Sequence, residues 1–351
     1  MISERVEQMR RYLKNNNLFA IIVPSNDTHF GEYIQDYYKC REWISGFDGS
    51  AGTVVVTLTN AALWTDSRYF IQAESQLRES GIVLKKMKMP GTESIEQWLL
   101  NQYIPENKVG IDSSLFSIND YNLLRESLNP YTNELLQYPF NEIWSDRPQK
   151  IFNKISLFDT KFSGEDTLSK HKRLISLIDC SSEFSYIITA CEEVAWLCNI
   201  RGRDVAFNPL PMLYGIVERH KIRLFCNLNS VSDSDALLLR QMNVFIEDYY
   251  EFRETLKNIP DNQVRIASGD RISAGDYFEL TRVGSKFIFD RSRGGYITNL
   301  KAVKNETECE GFRKAHILDG IARVKYLKYI DDNFNSDLKL SLIHISQGIV
   351  R

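Results

Sequence analysis

The sequence contains no long apolar run, and none of its segments approaches the roughly 20 residues needed to cross a bilayer. It also lacks an excess of one charge, because 43 Lys and Arg residues nearly balance 46 Asp and Glu residues. The chain therefore has no general attraction to nucleic acid or anionic lipid. Residues 1–5 (MISER) lack the charged and then apolar layout of a secretory signal. These absences predict a cytoplasmic protein with neither nucleic-acid nor membrane partners.

Cysteine is sparse, and no CxxC pair occurs. In a reducing cytosol, scattered cysteines are typical of free buried thiols, and a disulfide framework or a zinc knuckle is the disfavoured alternative. The cysteines are Cys40, Cys180, Cys191, Cys198, Cys226 and Cys309.

The common hydrolytic motifs are missing as well. The five histidines include no HExxH motif and no paired ligand spacing, and most are expected on the surface or on helices. No GxSxG elbow occurs, although Ser50 lies between Gly49 and Gly52. The sequence therefore predicts no catalytic residue and no metal ligand in this chain.

Strand-like and helix-like segments alternate, which predicts an α/β fold with mostly parallel or mixed sheets. The first helix is expected to be capped by Ser3, with Val6, Met9 and Leu13 on its buried face. The next predicted strands are residues 19–23, 53–57, 61–64 and 108–111, and the next predicted helices are residues 94–103 and 119–128.

The second part of the chain repeats this alternation after a punctuated segment, residues 144–148 (WSDRP). Residues 214–217 and 223–225 predict a hairpin. Two consecutive halves of similar pattern suggest two related α/β domains, residues 1–150 and 151–304. The other predicted strands are residues 186–189, 264–267 and 287–289, and the predicted helices are residues 192–198 and 232–242.

A second junction, residues 299–305, precedes a long helix. Thr307 and Glu310 match a capping box, and apolar residues continue the helical spacing to residue 329. This helix is predicted to begin a further domain, residues 305–351. If that domain is incomplete, the apolar face of the helix is expected to be exposed.

Two local stretches invite a functional interpretation. Residues 43–53 (WISGFDGSAGT) contain three glycines, but GxxxxGK(S/T) and GxGxxG are absent, so a structural loop is favoured over a phosphate site. In residues 63–70 (LWTDSRYF), Arg68 offers a planar fork suited to a carboxylate or a peptide oxygen. From the residues alone, an ion pair with Asp66 or a solvated arginine is favoured.

A third stretch, residues 192–204 (EEVAWLCNIRGRD), has paired carboxylates that suggest acid–base chemistry. Adjacent helix residues do not face one another, so Glu192 and Glu193 are not expected to share a proton site. A helix that buries Trp196 and Leu197 and then turns at Gly202 is favoured instead.

Together these stretches resemble the aminopeptidase P (Xaa-Pro aminopeptidase) family. Residues 45–52 (SGFDGSAG) and 64–70 (WTDSRYF) are similar to the SGF(D/T)GSAGT and WTDGRY motifs of its first creatinase-type N-terminal domain. Residues 195–202 (AWLCNIRG) with 208–209 (NP) resemble its second N-terminal domain. Residues 301–308 (KAVKNETE), with 315–316 (AH) and 319–320 (DG), resemble the first helix of its pita-bread catalytic domain.

The resemblance implies a fold and an activity. The fold would be two consecutive creatinase N-terminal-like domains, with mixed sheets flanked by helices, plus the first helix of a pita-bread domain. The complete enzyme would be cytoplasmic, would release the N-terminal residue from peptides with proline at the second position, and would form a homo-oligomer. Two divalent metals, often manganese, would activate the attacking water. No cofactor is expected in this chain, because the matching ligand positions lie beyond residue 351.

One substrate-binding residue carries over from the resemblance, Arg68, which matches the arginine of WTDGRY. Ser67 replaces the usual glycine beside it, and Cys191 and Glu192 stand where the family tends to have Leu-Asp. Residues 340–351 (LSLIHISQGIVR) do not resemble the family's continuation, so the reading frame is expected to be truncated with a foreign tail.

Three functions remain open at this point. The favoured hypothesis is the non-catalytic front part of a proline-specific metallo-aminopeptidase, inactive alone. The second is a stand-alone module that binds peptide or protein termini. The third, amidine hydrolysis by a creatinase-like fold, is disfavoured by the three-domain layout.

Overall fold

A computed structural model describes residues 2–102, 108–129, 132–136, 139–282, 284–292 and 294–333. The truncated tail predicted for residues 340–351 lies outside these residues. The first half, residues up to 143, contains six strands and six α-helices within the described ranges. The strands are β1 (Ala20–Val23), β2 (Thr53–Thr57), β3 (Ala61–Thr65), β4 (Val83–Lys86), β5 (Lys108–Asp112) and β6 (Thr132–Leu136). The helices are α1 (Ile2–Asn15), α2 (Cys40–Ser45), α3 (Phe70–Gln76), α4 (Ile95–Leu100), α5 (Ile118–Ser127) and α6 (Phe140–Ile143).

The second half, from residue 144 onward, repeats this plan and ends in a long helix. Its strands are β7 (Ser156–Leu157), β8 (Phe184–Ile188), β9 (Ile200–Arg201), β10 (Tyr214–Val217), β11 (Ile222–Cys226), β12 (Val244–Asp248), β13 (Val264–Ser268) and β14 (Phe287–Asp290). Its helices are α7 (Thr160–Ser163), α8 (Thr167–Leu177), α9 (Cys191–Leu197), α10 (Asp233–Gln241), α11 (Phe252–Lys257), α12 (Ala274–Leu280), α13 (Tyr296–Ala302) and α14 (Glu306–Asn333).

The two large sheets share one topology. The strand orders are β4-β3-β2-β1-β5-β6 and β12-β11-β10-β8-β13-β14. In each sheet the first strand pairs antiparallel with the second and parallel with the fifth. The second and third strands are antiparallel, and both edge strands are parallel to their neighbours. The predicted mixed α/β fold with two related halves is therefore confirmed.

The core is layered, with apolar residues on both faces of each sheet. In β2, Val55 faces a cluster shared by the two halves, whereas Val54 and Val56 face a cluster packed by α1 and α2. In β8, Ile187 faces the shared cluster and its neighbours face the outer one. This alternation follows from the period of two in a strand. Buried residues on both faces explain why the strand sequences read as continuous apolar runs.

Two corrections concern helix caps. Helix α1 begins at Ile2, so Ser3 lies inside the first turn and does not cap the helix. Helix α14 begins at Glu306, and its capping box is formed by Asn305 and Glu308 instead of Thr307 and Glu310. The Glu308 N–H donates to Asn305 Oδ1 at 2.9 Å, and the Asn305 N–H donates to Glu308 Oε2 at 3.0 Å. Asparagine is as good an N-cap as serine or threonine, so the helix is capped at Asn305, two residues before Thr307.

All six cysteines are free thiols, as predicted, and Cys180 and Cys309 are only partly buried. Burial raises the pKa of the Cys40 thiol to about 12, which makes it chemically inert. Among the described residues, no helix has the length and apolar composition needed to cross a membrane.

The halves meet along a pseudo-two-fold seam. Ser117 and Ser273 form an isolated antiparallel bridge, and each also caps its own helix, α5 or α12. The Ile118 N–H donates to the Ile272 carbonyl at 3.0 Å, and the Ala274 N–H donates to the Phe116 carbonyl at 2.8 Å. On either side of these two bonds, the Asn119 N–H donates to the Gly269 carbonyl at 3.2 Å, and the Gly275 N–H donates to the Ser113 carbonyl at 2.9 Å. We call these four hydrogen bonds the backbone seam.

Close contact at the seam predicts a sensitivity to side-chain size. A Cβ added to Gly275 would lie 2.9 Å from Ser113 Oγ and 3.4 Å from the Ser113 carbonyl oxygen. We expect Gly275→Val to lower the free energy of unfolding by about 1–3 kcal/mol through overpacking. Urea denaturation measures this, and adding Ser113→Gly should recover part of the loss. Equal stability of Gly275→Val and wild type would contradict the contact.

Candidate functional site

Arg68 lies on a turn that directly follows strand β3. Asp66 caps the single 3₁₀ turn Ser67–Tyr69 by accepting the Arg68 backbone N–H at 3.0 Å. The Arg68 guanidinium also donates to both Asp66 oxygens, from Nε at 2.9 Å and from Nη2 at 2.8 Å. The ion pair favoured from the residues alone is therefore present. The substrate role of Arg68 stays a prediction.

This ion pair leaves Arg68 available to a further acceptor. A guanidinium carries five N–H donors, and Asp66 takes two of them. The Arg68 side chain is 62% exposed, so the remaining donors can reach a ligand. The hydrogen bond from Arg68 lowers the pKa of Asp66, and Asp66, followed by Tyr69 and Glu32, raises the pKa of Arg68. The guanidinium thus stays charged and is held in one orientation by the turn.

The glycine-rich loop, residues 46–52, is organised by a buried arginine that the sequence did not single out. Arg41 on α2 is 6% exposed and donates to the carbonyl oxygens of Phe47 and Gly49. Its Nε donates to Ser25 Oγ at 2.9 Å. A Cβ at Gly49 would lie 2.3 Å from the Phe47 ring, so only glycine fits there. The loop is structural, as predicted.

The two first-half motifs are in contact. The hydroxyl of Tyr69 lies 2.6 Å from Ser50 Oγ, and the Thr65 hydroxyl donates to the Ala51 carbonyl at 2.6 Å. The loop therefore supports the turn that holds Arg68. The two motifs are separated in the sequence, so local pattern did not predict this contact. The one available signal was that both motifs adjoin the paired strands β2 and β3.

A second feature is a cavity of about 210 Å³ where the halves meet, which we call the junction cavity. The first half contributes residues that follow β1, where the carboxyl end of a strand is a favoured place for a site. The second half contributes the positions that differ from the family pattern, Cys191 and Glu192, together with Asn208 of the Asn-Pro pair. The principal polar lining residues are Asp27, His29, Glu32, Glu192 and Asn208.

Asp27 and His29 are the buried ionisable groups of the junction cavity. Asp27 is 1% exposed, and its Oδ1 accepts the N–H groups of His29 at 2.9 Å and Gly31 at 3.1 Å. Burial nevertheless dominates and raises the pKa of Asp27 to about 6. Burial likewise lowers the pKa of His29 to about 3, so its imidazole is neutral. Among the described residues, His29 is the exception to the expectation that most histidines lie on the surface or on helices, whereas His171 and His316 are on helices and His220 is exposed.

The hydrogen bonds of His29 define its tautomer. Nδ1 lies 2.7 Å from the Thr189 carbonyl oxygen, which can only accept, so Nδ1 carries the proton. Nε2 therefore accepts from the Tyr249 hydroxyl at 2.8 Å. Both partners belong to the second half, and the imidazole also stacks on Tyr214 with ring centroids 4.2 Å apart. His29 thus ties the halves together and is fully engaged, which leaves it no acid–base role.

The adjacent carboxylates of α9 have separate surroundings, as predicted. Glu192 forms an ion pair with Arg271 at 3.3 Å, whereas buried Glu193 accepts a hydrogen bond from Thr298. Burial raises the pKa of Glu193 to about 7. The two carboxylates therefore do not form a dyad.

Residues 2–102, 108–129, 132–136, 139–282, 284–292 and 294–333 contain no group of three or more His, Cys, Asp or Glu side chains that could hold a metal ion. A dinuclear metal centre of the kind the family implies does not fit these residues.

Comparison with known proteins defines the class. Two family models, each described as a creatinase/prolidase N-terminal domain, match residues 5–137 and 146–308. The chain therefore belongs to the creatinase/prolidase N-terminal domain family and carries two consecutive copies. Each copy contains one of the six-stranded sheets.

The particular relatives are Xaa-Pro aminopeptidases. The chain is 34% identical over 342 residues to Xaa-Pro aminopeptidase 1 of Dictyostelium discoideum, covering 94% of this chain and 53% of the relative. It is 30% identical to aminopeptidase P2 of Arabidopsis thaliana over 384 residues, covering 100% of this chain and 54% of the relative. The chain thus spans about half the length of the curated relatives it matches.

A solved structure supports the same relationship. X-prolyl aminopeptidase from Caenorhabditis elegans, described as a cytosolic enzyme with a di-nuclear active site, superposes with a TM-score of 0.87 at 25% sequence identity. The match covers 99% of this chain and 59% of that enzyme. The predicted resemblance to Xaa-Pro aminopeptidases is therefore confirmed.

The raised pKa of Asp27 predicts a pH-dependent stability. The ordinary value is 3.8 and the folded value about 6, so the folded protein binds this proton more tightly than the unfolded chain. Its stabilising contribution is present below about pH 4 and is lost as the pH rises through about 6. We therefore expect Asp27→Asn to gain stability relative to wild type between pH 4.5 and 7.5, by up to about 3 kcal/mol.

Urea denaturation of both proteins across this range tests the point. Taking the difference between them removes the opposing contribution of His29, which both retain. Asp233→Asn, at the exposed start of α10, serves as the matched control and should show the same pH dependence of stability as wild type. If the difference in free energy of unfolding between Asp27→Asn and wild type does not change with pH, the burial of a charge at Asp27 is contradicted.

Proposed function

We propose that this chain forms the N-terminal, non-catalytic part of an Xaa-Pro aminopeptidase, a class of hydrolase that releases the N-terminal residue from peptides with proline at the second position. The convergence of the two first-half motifs on Arg68 supports this proposal most directly. Homology to named Xaa-Pro aminopeptidases along most of the chain adds to it. The proposed domains are residues 1–150, 151–304 and 305–351, the last beginning with α14.

In this proposal Arg68 binds the peptide substrate. Its outward N–H donors match a carboxylate or a peptide carbonyl oxygen. Asp66 fixes the plane of the guanidinium, and the Ser50–Tyr69 contact fixes the turn beneath it. Such preorganisation lowers the entropic cost of binding. The metals of the complete enzyme, manganese in our proposal, would be held by residues outside those described.

The complete enzyme is further proposed to act in the cytoplasm and to assemble as a homo-oligomer. The first point is supported by the description of the Caenorhabditis elegans relative as a cytosolic enzyme. The second rests on the family resemblance alone. Sedimentation of the complete enzyme at several concentrations would test it.

The inactivity of this chain alone gives one prediction. We expect no hydrolysis of Ala-Pro-Ala in the presence of added Mn²⁺, because the described residues supply no set of three metal-ligating side chains. The measurement is the amount of free alanine released over time, determined by chromatography. Turnover that is abolished by a chelator would overturn the non-catalytic assignment.

The role of Arg68 gives another prediction. If Ala-Pro-Ala binds the chain in calorimetry, Arg68→Ala should weaken binding by about tenfold or more, since charge-assisted hydrogen bonds are lost. Arg68→Lys should recover only part of the affinity, because an ammonium lacks the fork. Arg78→Ala, another exposed arginine of the first half, is the matched control. Equal affinity of Arg68→Ala and wild type would exclude Arg68 from the site.

A further inference from the structure

A cavity of about 310 Å³ lies in the second half, between α7, the end of α9, β9 and the first turns of α14. We call it the helix-start cavity. Three phenylalanine rings line it, Phe158, Phe162 and Phe312. Its polar lining is cationic and rich in hydrogen-bond donors. The junction cavity and Arg68 involve other residues, so this cavity is independent of the proposed peptide site.

Lys170 supplies a buried positive charge to the helix-start cavity. The residue is 1% exposed, and its ammonium donates to the Trp196 carbonyl at 2.8 Å and to Asn199 Oδ1 at 2.6 Å. An ammonium has three N–H donors, so one remains for a further acceptor. Burial lowers the pKa of Lys170 to about 8, and the group is still mostly charged at neutral pH. A buried ammonium is costly unless it is fully paired, so an anionic partner is favoured.

Trp196 lines the same cavity and carries an unpaired donor. The residue is 8% exposed, and its buried indole Nε1–H has no hydrogen-bond partner among the described residues. A buried tryptophan N–H usually finds a partner, because leaving it unpaired costs free energy. The centroid of its ring lies 4.5 Å from Lys170 Nζ, so the indole is in contact with the ammonium.

Two carboxylates, Glu165 and Glu308, oppose the effect of burial on the pKa of Lys170. Glu165, however, is paired with Arg173 at 2.9 Å. Arg201 lines the cavity, and its guanidinium lies 4.2 Å from the centroid of the Phe158 ring. Glu308 is the carboxylate of the lining, and its Oε2 accepts the Asn305 N–H in the capping box of α14. With two cations, one carboxylate and an unpaired N–H, the cavity carries net positive charge and aromatic walls.

We propose that the helix-start cavity binds an apolar monocarboxylate, with the carboxylate against Lys170 and Trp196 Nε1 and the apolar body among the phenylalanine rings. A free small acid and the C-terminal residue of a peptide present the same chemistry. The cavity volume suits a ligand built around a single ring. The ligand's negative charge compensates Lys170, and its oxygens accept the two unused N–H donors.

Calorimetric titration with phenylacetate tests the proposal on the full chain. We expect phenylacetate to bind saturably at one site per chain. The neutral isostere phenylacetamide should bind about tenfold more weakly, or weaker still. In the ¹⁵N-labelled chain, the indole N–H resonance of Trp196, assigned from Trp196→Phe, should shift as the site fills. N-acetyl-alanyl-phenylalanine forms the second arm, and its binding in place of phenylacetate would identify a peptide C-terminus as the source.

A matched pair of glycine variants locates the site. Gly311 lines the cavity and Gly320 does not, yet both lie on α14 and a Cβ at either meets no atom within 4 Å. Gly311→Leu should therefore fold and reduce phenylacetate affinity by about tenfold or more, because its side chain occupies the cavity. Gly320→Leu should bind like wild type. Three outcomes would each overturn the proposal. They are a wild type that neither ligand saturates, equal affinity for phenylacetate and phenylacetamide, and unchanged phenylacetate affinity in Gly311→Leu.

Discussion

The backbone seam between Ser113–Asn119 and Gly269–Gly275 is the constraint on which the arrangement of the molecule depends. Its four hydrogen bonds join two equivalent helix starts, so each half completes the backbone pairing of the other. Buried N–H and C=O groups are costly when unpaired. Separating the halves would expose these groups together with the apolar cluster that both sheets share. The halves are therefore two copies of one fold that share a backbone seam and an apolar core.

A buried polar network also joins the two halves, close to the junction cavity. The Thr28 hydroxyl lies 3.0 Å from the Tyr38 hydroxyl and accepts from the Tyr214 hydroxyl at 2.8 Å, joining the two halves. Lys150, in the connection between the halves, lies 5.0–5.5 Å from the ring centroids of four tyrosines. Burial lowers the pKa of Lys150 to about 8, since the rings only partly replace water. The four rings are Tyr37 and Tyr38 from the first half and Tyr249 and Tyr250 from the second.

The sequence was sufficient where local pattern decides structure. Apolar runs placed β1, β2, β3 and β5 to within a residue or two, and the hairpin of β10 and β11 was recognised. Strands with exposed or charged residues were missed, as with β4 (VLKK) and β12 (VFIED). Both are parallel edge strands, so pairing with a distant neighbour specifies them more than periodicity does.

The candidate site was predictable only in part, and for a related reason. Arg68 and its pairing with Asp66 are local, two residues apart, and both could be read from the turn. His29 could not, because its partners lie 160 and 220 positions away in the sequence. Arg41 donates to Phe47 and Gly49, only six and eight residues away, but no local pattern distinguishes it from a surface arginine. A polar residue directly after a buried strand was the one available signal for Asp27 and His29.

The turn that carries Arg68 is held by contacts within the first half, whereas helix α14 is largely exposed. Its turn rests on Ser50, Thr65 and the loop anchored by Arg41, all within the first half. Helix α14, by contrast, is attached mainly at its start, where Asn305 donates to the Ser163 carbonyl at 2.8 Å. Several of its apolar residues, among them Ile317, Leu318 and Val324, are more than 60% exposed. The orientation of Arg68 is thus fixed by contacts within the first half, which suits the substrate role proposed for it.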